Sequence, residues 1–328
     1  MYLRKPRLVP TVLAAIVLLP LVLEAQQQAQ TTQQENEEPT IKVDVDVVNV
    51  LFSVRDRKGA LVPGLSKEDF IVSEEGKPQE IKFFARETDL PLTIGLLVDV
   101  SRSQENLIET ERRAALQFFS NVLKEKDMAF LISFGTDTEL LQDFTNSTTL
   151  LRKGLEGLRV QASPYVPGIL NPGPIPSNPR GTVLFEAIYL AAEEKLRREV
   201  GRKAIIVITD GVDVGSRIKM SEAMEAAHKS DAIVYSILFS DPRYGGSDSD
   251  LKRISEDTGG RVFKVSKKQT LDDIFKQIEM EMRSQYAIGY TPAKPTGDGG
   301  FRRIEIKTRD KDLRVQARKG YYATSGRP

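Results

Sequence analysis

A short loop rich in oxygen-bearing side chains follows an apolar run near the middle of the first half of this chain of 328 residues. The loop reads Asp99-Val-Ser101-Arg-Ser103, and the apolar run before it covers residues 93–98. A carboxylate and two hydroxyls on a tight loop are hard oxygen ligands, which suit Mg²⁺ and do not suit zinc or copper. The spacing favours a divalent-cation site, although Asp and Ser are also common in any turn after a strand.

Two more oxygen-bearing residues occupy comparable places later in the chain. A second apolar run, residues 203–209, ends in Asp210, and Gly181-Thr182 places a hydroxyl at the predicted start of a helix. Ligands of open α/β sheets collect outside the carboxyl ends of the strands, where we expect these oxygens to meet. The plainer interpretations are a helix N-cap for Thr182 and an ordinary turn for Asp210-Gly211.

The composition removes most enzymatic alternatives. Cysteine is absent and His228 is the only histidine, which excludes thiolate chemistry and His-ligated zinc. We expect His228 at the surface or at the edge of the core. An aspartyl-phosphate phosphatase needs Asp-x-Asp where Ser101 stands, and a serine hydrolase needs Gly-x-Ser-x-Gly with a histidine, so we predict that the chain is not an enzyme.

The first 25 residues have the pattern of a signal peptide. Arg4, Lys5 and Arg7 precede the apolar residues 8–23, and a small-residue cleavage position lies at Ala25. We therefore predict a chain exported to the periplasm, cell envelope or exterior, with an uncleaved N-terminal anchor as the alternative. Lys plus Arg number 47 and Asp plus Glu 46, a balance that favours neither nucleic acid nor an anionic membrane as a partner.

The remaining chain divides by its periodicity. Residues 26–39 are Gln-rich and lack apolar periodicity, so we predict a disordered linker. Residues 40–88 and 285–323 alternate apolar and polar side chains, as β-strands do, whereas residues 89–284 alternate buried strand runs with amphipathic helices. We predict a doubly wound α/β domain with a mainly parallel sheet, flanked by a small all-β module built from both ends of the chain.

These motifs resemble those of von Willebrand factor type A domains. Asp-x-Ser-x-Ser after a buried strand, a distant Gly-Thr and a later strand ending Thr-Asp-Gly occur in the order of that family's metal-ion-dependent adhesion site. The flanks are similar to those of the exported VWFA-related (acidobacterial-type) group. The segments that carry this second resemblance are Val54-Arg-Asp-Arg-Lys-Gly59, Gly64-Leu-Ser-Lys-Glu-Asp-Phe70, Gly76-Lys-Pro-Gln-Glu-Ile81 and Ala317-Arg-Lys-Gly-Tyr-Tyr322.

The resemblance implies a site and a function. It implies that Asp99, Ser101 and Ser103 hold the ion, that Thr182 contacts it directly or through water, and that Asp210 acts mainly through water. Mg²⁺ is the expected ion, with Mn²⁺ or Ca²⁺ as alternatives, and a partner protein's Asp or Glu is expected to complete the shell. Two departures concern the surroundings: Arg180-Gly-Thr replaces the commoner Gly-Gly-Thr, and Glu186 stands where an Asp is frequent.

The sequence thus predicts an exported, metal-dependent protein-binding module of adhesion type. The alternative is a structural envelope or assembly component whose metal site is vestigial or only stabilising. Residues 161–180, rich in Pro, Gly, Ser and Asn, precede Thr182 and are the candidate segment for partner choice, against an idle insertion.

Overall fold

The computed structural model describes residues 47–87, 90–161, 181–241, 246–294 and 297–323. The predicted signal peptide, the Gln-rich linker and residues 162–180 of the Pro- and Gly-rich loop lie outside these ranges. Within the ranges, no helix is both long enough and apolar enough to cross a membrane.

The described residues contain fourteen strands and six α-helices. The strands are β1 Val48–Arg55, β2 Phe70–Glu74, β3 Lys77–Gln79, β4 Phe83–Glu87, β5 Leu92–Asp99, β6 Met128–Phe134, β7 Thr138–Thr145, β8 Arg202–Thr209, β9 Ala232–Leu238, β10 Val262–Lys264, β11 Gln285–Tyr290, β12 Phe301–Thr308, β13 Arg314–Ala317 and β14 Gly320–Tyr322. The helices are α1 Ile108–Val122, α2 Thr148–Glu156, α3 Leu184–Leu190, α4 Met220–Lys229, α5 Ser249–Thr258 and α6 Leu271–Arg283. Single 3-10 turns lie at Lys67–Asp69 and Arg102–Gln104, and α3 continues as a π-helical segment, Ala191–Leu196.

The central sheet has the strand order β10-β9-β8-β5-β6-β7. All neighbours are parallel except the edge strand β7, which runs antiparallel to β6. Every residue of β5 and β8 is buried, because α1, α2 and α6 pack on one face of the sheet and α3, α4 and α5 on the other. The prediction of a mainly parallel sheet covered on both faces is confirmed.

Strands from both ends of the chain build two antiparallel sheets. Their orders are β13-β1-β11-β4 and β14-β12-β2-β3, so that each sheet combines N-terminal and C-terminal strands. The aromatic rings of Phe52, Phe70 and Tyr286 pack between the sheets at centroid separations of 5.1–5.7 Å. The predicted pairing of the two β segments is therefore confirmed.

The expectation for His228 is wrong. The side chain is buried at 4 % relative exposure, its Nε2 lies 2.7 Å from Asp257 Oδ2, and its ring meets Phe301 of β12 edge to face. The helical spacing of α4 correctly indicates the face that packs on the central sheet. It contains no information about β12, a strand more than 70 residues later in the chain that covers the end of α4.

Candidate metal site at the carboxyl edge of the central sheet

The Asp99 carboxylate lies at the end of β5 and is completely buried. Its Oδ1 accepts a hydrogen bond from the Ser101 backbone N–H at 2.9 Å, and its Oδ2 accepts one from the Thr209 hydroxyl at 2.6 Å. Ser101 Oγ and Ser103 Oγ lie 3.0 Å apart. The loop therefore gathers one carboxylate and two neutral hydroxyls at one point of the sheet edge.

The second carboxylate, that of Asp210, follows β8, the strand that pairs with β5. Asp210 is 5 % exposed, and its Oδ1 accepts a hydrogen bond from Val212 N–H at 3.1 Å. Gly211 makes this turn possible, because its φ is +81° and a Cβ there would lie 1.9 Å from the Ser247 carbonyl oxygen. A side chain at position 211 would push the Asp210 loop away from the site.

Thr182 is held against the Asp210 loop by its backbone. Gly181 N–H donates to the Val214 carbonyl at 2.8 Å, and Val214 N–H donates to the Thr182 carbonyl at the same distance. Thr182 is 7 % exposed. The predicted N-cap role is wrong, since α3 begins at Leu184 and the side-chain acceptor near its start is Asp213, which bonds Phe185 N–H.

The two carboxylates have no basic partner among the residues that the structure describes. Burial raises the pKa of Asp99 from 3.8 to about 6, the hydrogen bonds from Thr209 and Ser101 oppose that rise, and the nearby Asp210 adds to it. Buried carboxylates are normally paired or bound to a cation. The donor set, two carboxylates with three hydroxyls, fits a hard divalent ion.

Acidic side chains alone would not make this a metal site. In the described ranges, no three Asp, Glu, His or Cys side chains come together in a way that could hold a metal ion. The candidate site therefore depends on the hydroxyls of Ser101, Ser103 and Thr182. Hydrogen bonds bring Asp99, Ser101 and Ser103 together, whereas Asp210 and Thr182 are connected to this group through adjacent strands and loops.

Glu186, the second departure from the family pattern, supports a loop. Its Oε1 accepts a hydrogen bond from Arg217 N–H at 2.7 Å, and Ser216 Oγ binds Asp213 at 2.5 Å. These contacts fix the segment between Asp210 and α4 against the start of α3. Glu186 therefore acts on the backbone around the site.

Sequence reasoning missed three polar residues around Asp99. Thr209 binds the Asp99 carboxylate directly, although the sequence suggested no role for it. Gln104 and Glu111 are completely buried, and none of their side-chain oxygen or nitrogen atoms has a hydrogen-bond partner in the described structure. Burial raises the pKa of Glu111 well above its ordinary value, and Asp99 adds to that rise. The sequence did contain one signal for Glu111, since this acidic residue lies within the apolar stripe of α1.

Replacement of Glu111 by methionine is expected to stabilise the protein. The carboxyl is buried without partners, which costs about 1–3 kcal/mol, and methionine fills a similar volume without that penalty. Urea denaturation of Glu111→Met in the presence of chelator should therefore show a higher free energy of unfolding by about that amount. A lower value would show that a buried water or ion satisfies the carboxyl.

Comparison with known proteins gives the following similarities. The family model of the von Willebrand factor type A domain matches residues 174–277, a range that includes Thr182 and Asp210 and begins after Ser103. No curated protein matches the chain. Among solved structures, BatB from Bacteroides thetaiotaomicron is 20 % identical over 58 % of this chain and 97 % of its own, with a TM-score of 0.43.

Two further structures show the same level of similarity. Proximal thread matrix protein 1 from the mussel byssus, solved with zinc in its MIDAS motif, is 14 % identical over 64 % of this chain and 50 % of its own, with a TM-score of 0.48. The SpRpn10 VWA domain is 15 % identical over 57 % of this chain and 95 % of its own, with a TM-score of 0.40. Identities this low carry no function over to this chain.

Proposed function

We propose that the chain is an exported binding module of the von Willebrand factor type A kind, whose family model matches residues 174–277, and that it uses a divalent cation to hold an acidic group of a partner protein. One observation carries the proposal. Two buried carboxylates, which have no basic partner among the described residues, lie near a cluster of hydroxyls at the carboxyl edge of the central sheet. A protein fold keeps such carboxylates when a cation neutralises them.

The proposed ligands are Asp99, Ser101 and Ser103 directly, Thr182 directly or through water, and Asp210 mainly through water. Mg²⁺ is the proposed ion, because all five side chains offer hard oxygen atoms. When bound, the ion supplies an electrophilic position for a carboxylate oxygen. Asp99 is the one charged side chain among the proposed direct ligands, since Asp210 acts mainly through water, so the direct contacts leave part of the ion's charge for the partner.

The acidic group cannot come from the segment between Gln161 and Gly181. Residues 162–180 connect Gln161, which pairs with Ser101, to Gly181, and they contain neither Asp nor Glu. This segment therefore cannot supply a carboxylate to the ion. A partner's Asp or Glu side chain remains the proposed occupant, and no bond is made or broken in this function.

Export is proposed from the N-terminal sequence. Three basic residues before an apolar stretch and a small-residue cleavage position are the features of a secretion signal. The module would then act in the periplasm, in the cell envelope or outside the cell.

A chelator-controlled pull-down tests the proposed function. Tagged protein is incubated with envelope extract in Mg²⁺, washed, and eluted with EDTA. The same procedure is applied to the test variant Thr182→Ala and to a control variant, Thr149→Ala, whose side chain is exposed on α2. We expect EDTA to release the same partner protein from the wild type and from the control. The amount of this partner captured by Thr182→Ala should be less than about a tenth of the wild-type amount. A metal-induced rise in melting temperature without any chelator-sensitive partner would favour the purely stabilising metal site instead.

Metal affinity should depend on pH through Asp99. Burial raises the pKa of this acid from 3.8 to about 6, so the folded, metal-free protein favours the protonated form. The metal-free protein therefore loses stability as the pH rises from about 3.8 to about 6. The cation needs the ionised form. Calorimetric titration with Mn²⁺ should therefore show an affinity that falls about tenfold per pH unit below about 6 and levels off above it. Equal affinities at pH 5 and pH 7 would contradict this assignment.

A further inference from the structure

The candidate ligands are almost inaccessible, and exposed aliphatic residues lie on the loops beside them. Asp99, Asp210, Thr182 and Ser101 are between 0 % and 9 % exposed. Three exposed aliphatic side chains, which we call the valine rim, lie on the loops that carry or adjoin these ligands: Val160, Val212 and Val214, at 36 %, 39 % and 46 % exposure. Because the ligand side chains are so little exposed, we infer that a partner reaches them with a protruding side chain.

Each member of the valine rim is fixed to a candidate ligand by the backbone. Val160 precedes Gln161, whose N–H donates to the Val100 carbonyl at 2.7 Å and which pairs with Ser101. Val212 donates its N–H to Asp210, and Val214 exchanges backbone hydrogen bonds with Gly181 and Thr182. The three valines come from two loops, one that ends at Gln161 and one that follows β8, and the fold brings these loops to the same edge of the central sheet.

An unpaired guanidinium completes this surface. Arg102 lies between Ser101 and Ser103 in the 3-10 turn, is exposed, and makes no ion pair or side-chain hydrogen bond with the described residues. Arg112 of α1 differs, since it pairs with Glu109 and also donates to the carbonyl of Leu155. The planar, five-donor head of Arg102 is therefore available for a carboxylate of a partner.

We propose that this surface recognises an acidic–aliphatic peptide segment that carries two carboxylates. One carboxylate binds the cation, the second pairs with Arg102, and aliphatic side chains beside them pack on the valine rim. The proposal rests on the proposed function and specifies its partner. A positive charge at Arg102 and at the ion complements an acidic segment, while the valines exclude one that is acidic alone.

A peptide-display selection tests the partner chemistry. The full chain is presented with a random-peptide library in Mn²⁺, and clones are eluted with EDTA. We expect enriched sequences with two Asp or Glu residues and at least one Val, Ile or Leu nearby. Enrichment of acidic sequences without aliphatic residues, of phosphate-mimicking or non-acidic sequences, or of no sequence at all overturns the proposal.

Matched variants separate this proposal from the underlying metal site. Val212→Ser with Val214→Ser should weaken an enriched peptide at least tenfold, and Arg102→Gln about twofold to fivefold, because an exposed ion pair contributes little. The controls are Val200→Ser, at 82 % exposure before β8 at the opposite end of the sheet, and Arg113→Gln, exposed on α1. Each control should bind like the wild type.

The rise in melting temperature with Mn²⁺ distinguishes a failure of the partner assignment from a failure of the proposed function. All variants should keep the wild-type rise in melting temperature with Mn²⁺, because none of them removes a candidate ligand. If rim variants keep both the metal response and full peptide affinity, the partner assignment is wrong and the metal site stands. If the wild type shows no metal response, the proposed function itself fails.

Discussion

Asp99→Asn is expected to abolish the response of the protein to divalent cations. For the wild type, Mn²⁺ or Mg²⁺ at about a hundredfold excess over Kd should stabilise the fold by about 2.7 kcal/mol, a rise of several degrees in melting temperature. Asparagine keeps the shape of the side chain and removes the charge of the proposed ligand Asp99, which is completely buried near two serine hydroxyls. Differential scanning calorimetry with and without metal measures the effect.

The same substitution should act in the opposite direction when metal is absent. A rise of the Asp99 pKa from 3.8 to about 6 corresponds to roughly 3 kcal/mol of destabilisation by the ionised form above that pH. An amide avoids most of this penalty. In EDTA at pH 8, Asp99→Asn should therefore melt at a higher temperature than the wild type.

The control for Asp99→Asn is the removal of a nearby solvent-exposed carboxylate, that of Glu105. Glu105→Gln removes one negative charge at an exposed position two residues after Ser103. This variant should keep the wild-type response to metal and the wild-type melting temperature in EDTA. A full metal response in Asp99→Asn would exclude Asp99 as a ligand, and the same loss in both variants would indicate a nonspecific effect of charge.

Glu281→Ala is expected to produce the largest loss of stability. The Glu281 carboxylate, on α6, is 1 % exposed and binds both Arg55, at the end of β1, and Arg261, just before β10. Its Oε1 also accepts from Ser53 Oγ at 3.4 Å. This one carboxylate therefore connects an antiparallel sheet to the central α/β layers.

The size of the loss follows from the charges left behind. Removing one partner of a fully buried ion pair costs about 3–5 kcal/mol, and the two arginines are 15 % and 28 % exposed, so a loss of about 2–4 kcal/mol is expected. Glu281→Gln keeps an acceptor oxygen and should lose about half as much. Urea denaturation of both variants in one buffer gives the comparison.

Glu279→Ala on the same helix is the matched control. Glu279 is half-buried and makes no ion pair or hydrogen bond with the described residues, so its removal should change the free energy of unfolding by less than about 0.5 kcal/mol. Comparable losses in Glu279→Ala and Glu281→Ala would mean that the helix, and not the carboxylate, is responsible. A negligible loss of unfolding free energy in Glu281→Ala would show that water hydrates the two arginines when the carboxylate is removed.

Local sequence was sufficient for the elements that carry the candidate ligands. The apolar runs at residues 93–98 and 203–209 appear as β5 Leu92–Asp99 and β8 Arg202–Thr209, because a strand covered on both faces needs continuous apolar residues. The pairing of the two β segments was also predictable, since each segment alternates apolar and polar residues with period two and so has one apolar face that must be buried. These predictions depend only on the side-chain pattern along one segment.

Contacts between distant segments were not predictable in the same way. The helical spacing of α4 could not place His228, because its cover is Phe301 of β12. Glu186 and Asp213 were ambiguous as single residues, and their roles became clear only from backbone donors about 30 residues away. Long-range hydrogen bonds leave no periodic signal in the sequence.

Residue types along the chain were enough to identify which oxygen-bearing residues end the buried strands, and therefore which ligand atoms the edge of the sheet offers. The folded structure was needed to find that Thr209 of the neighbouring strand binds Asp99 and that Glu111 is buried. Local periodicity specifies the donor atoms, whereas burial and hydrogen bonding arise from the packing of segments that are far apart in the chain.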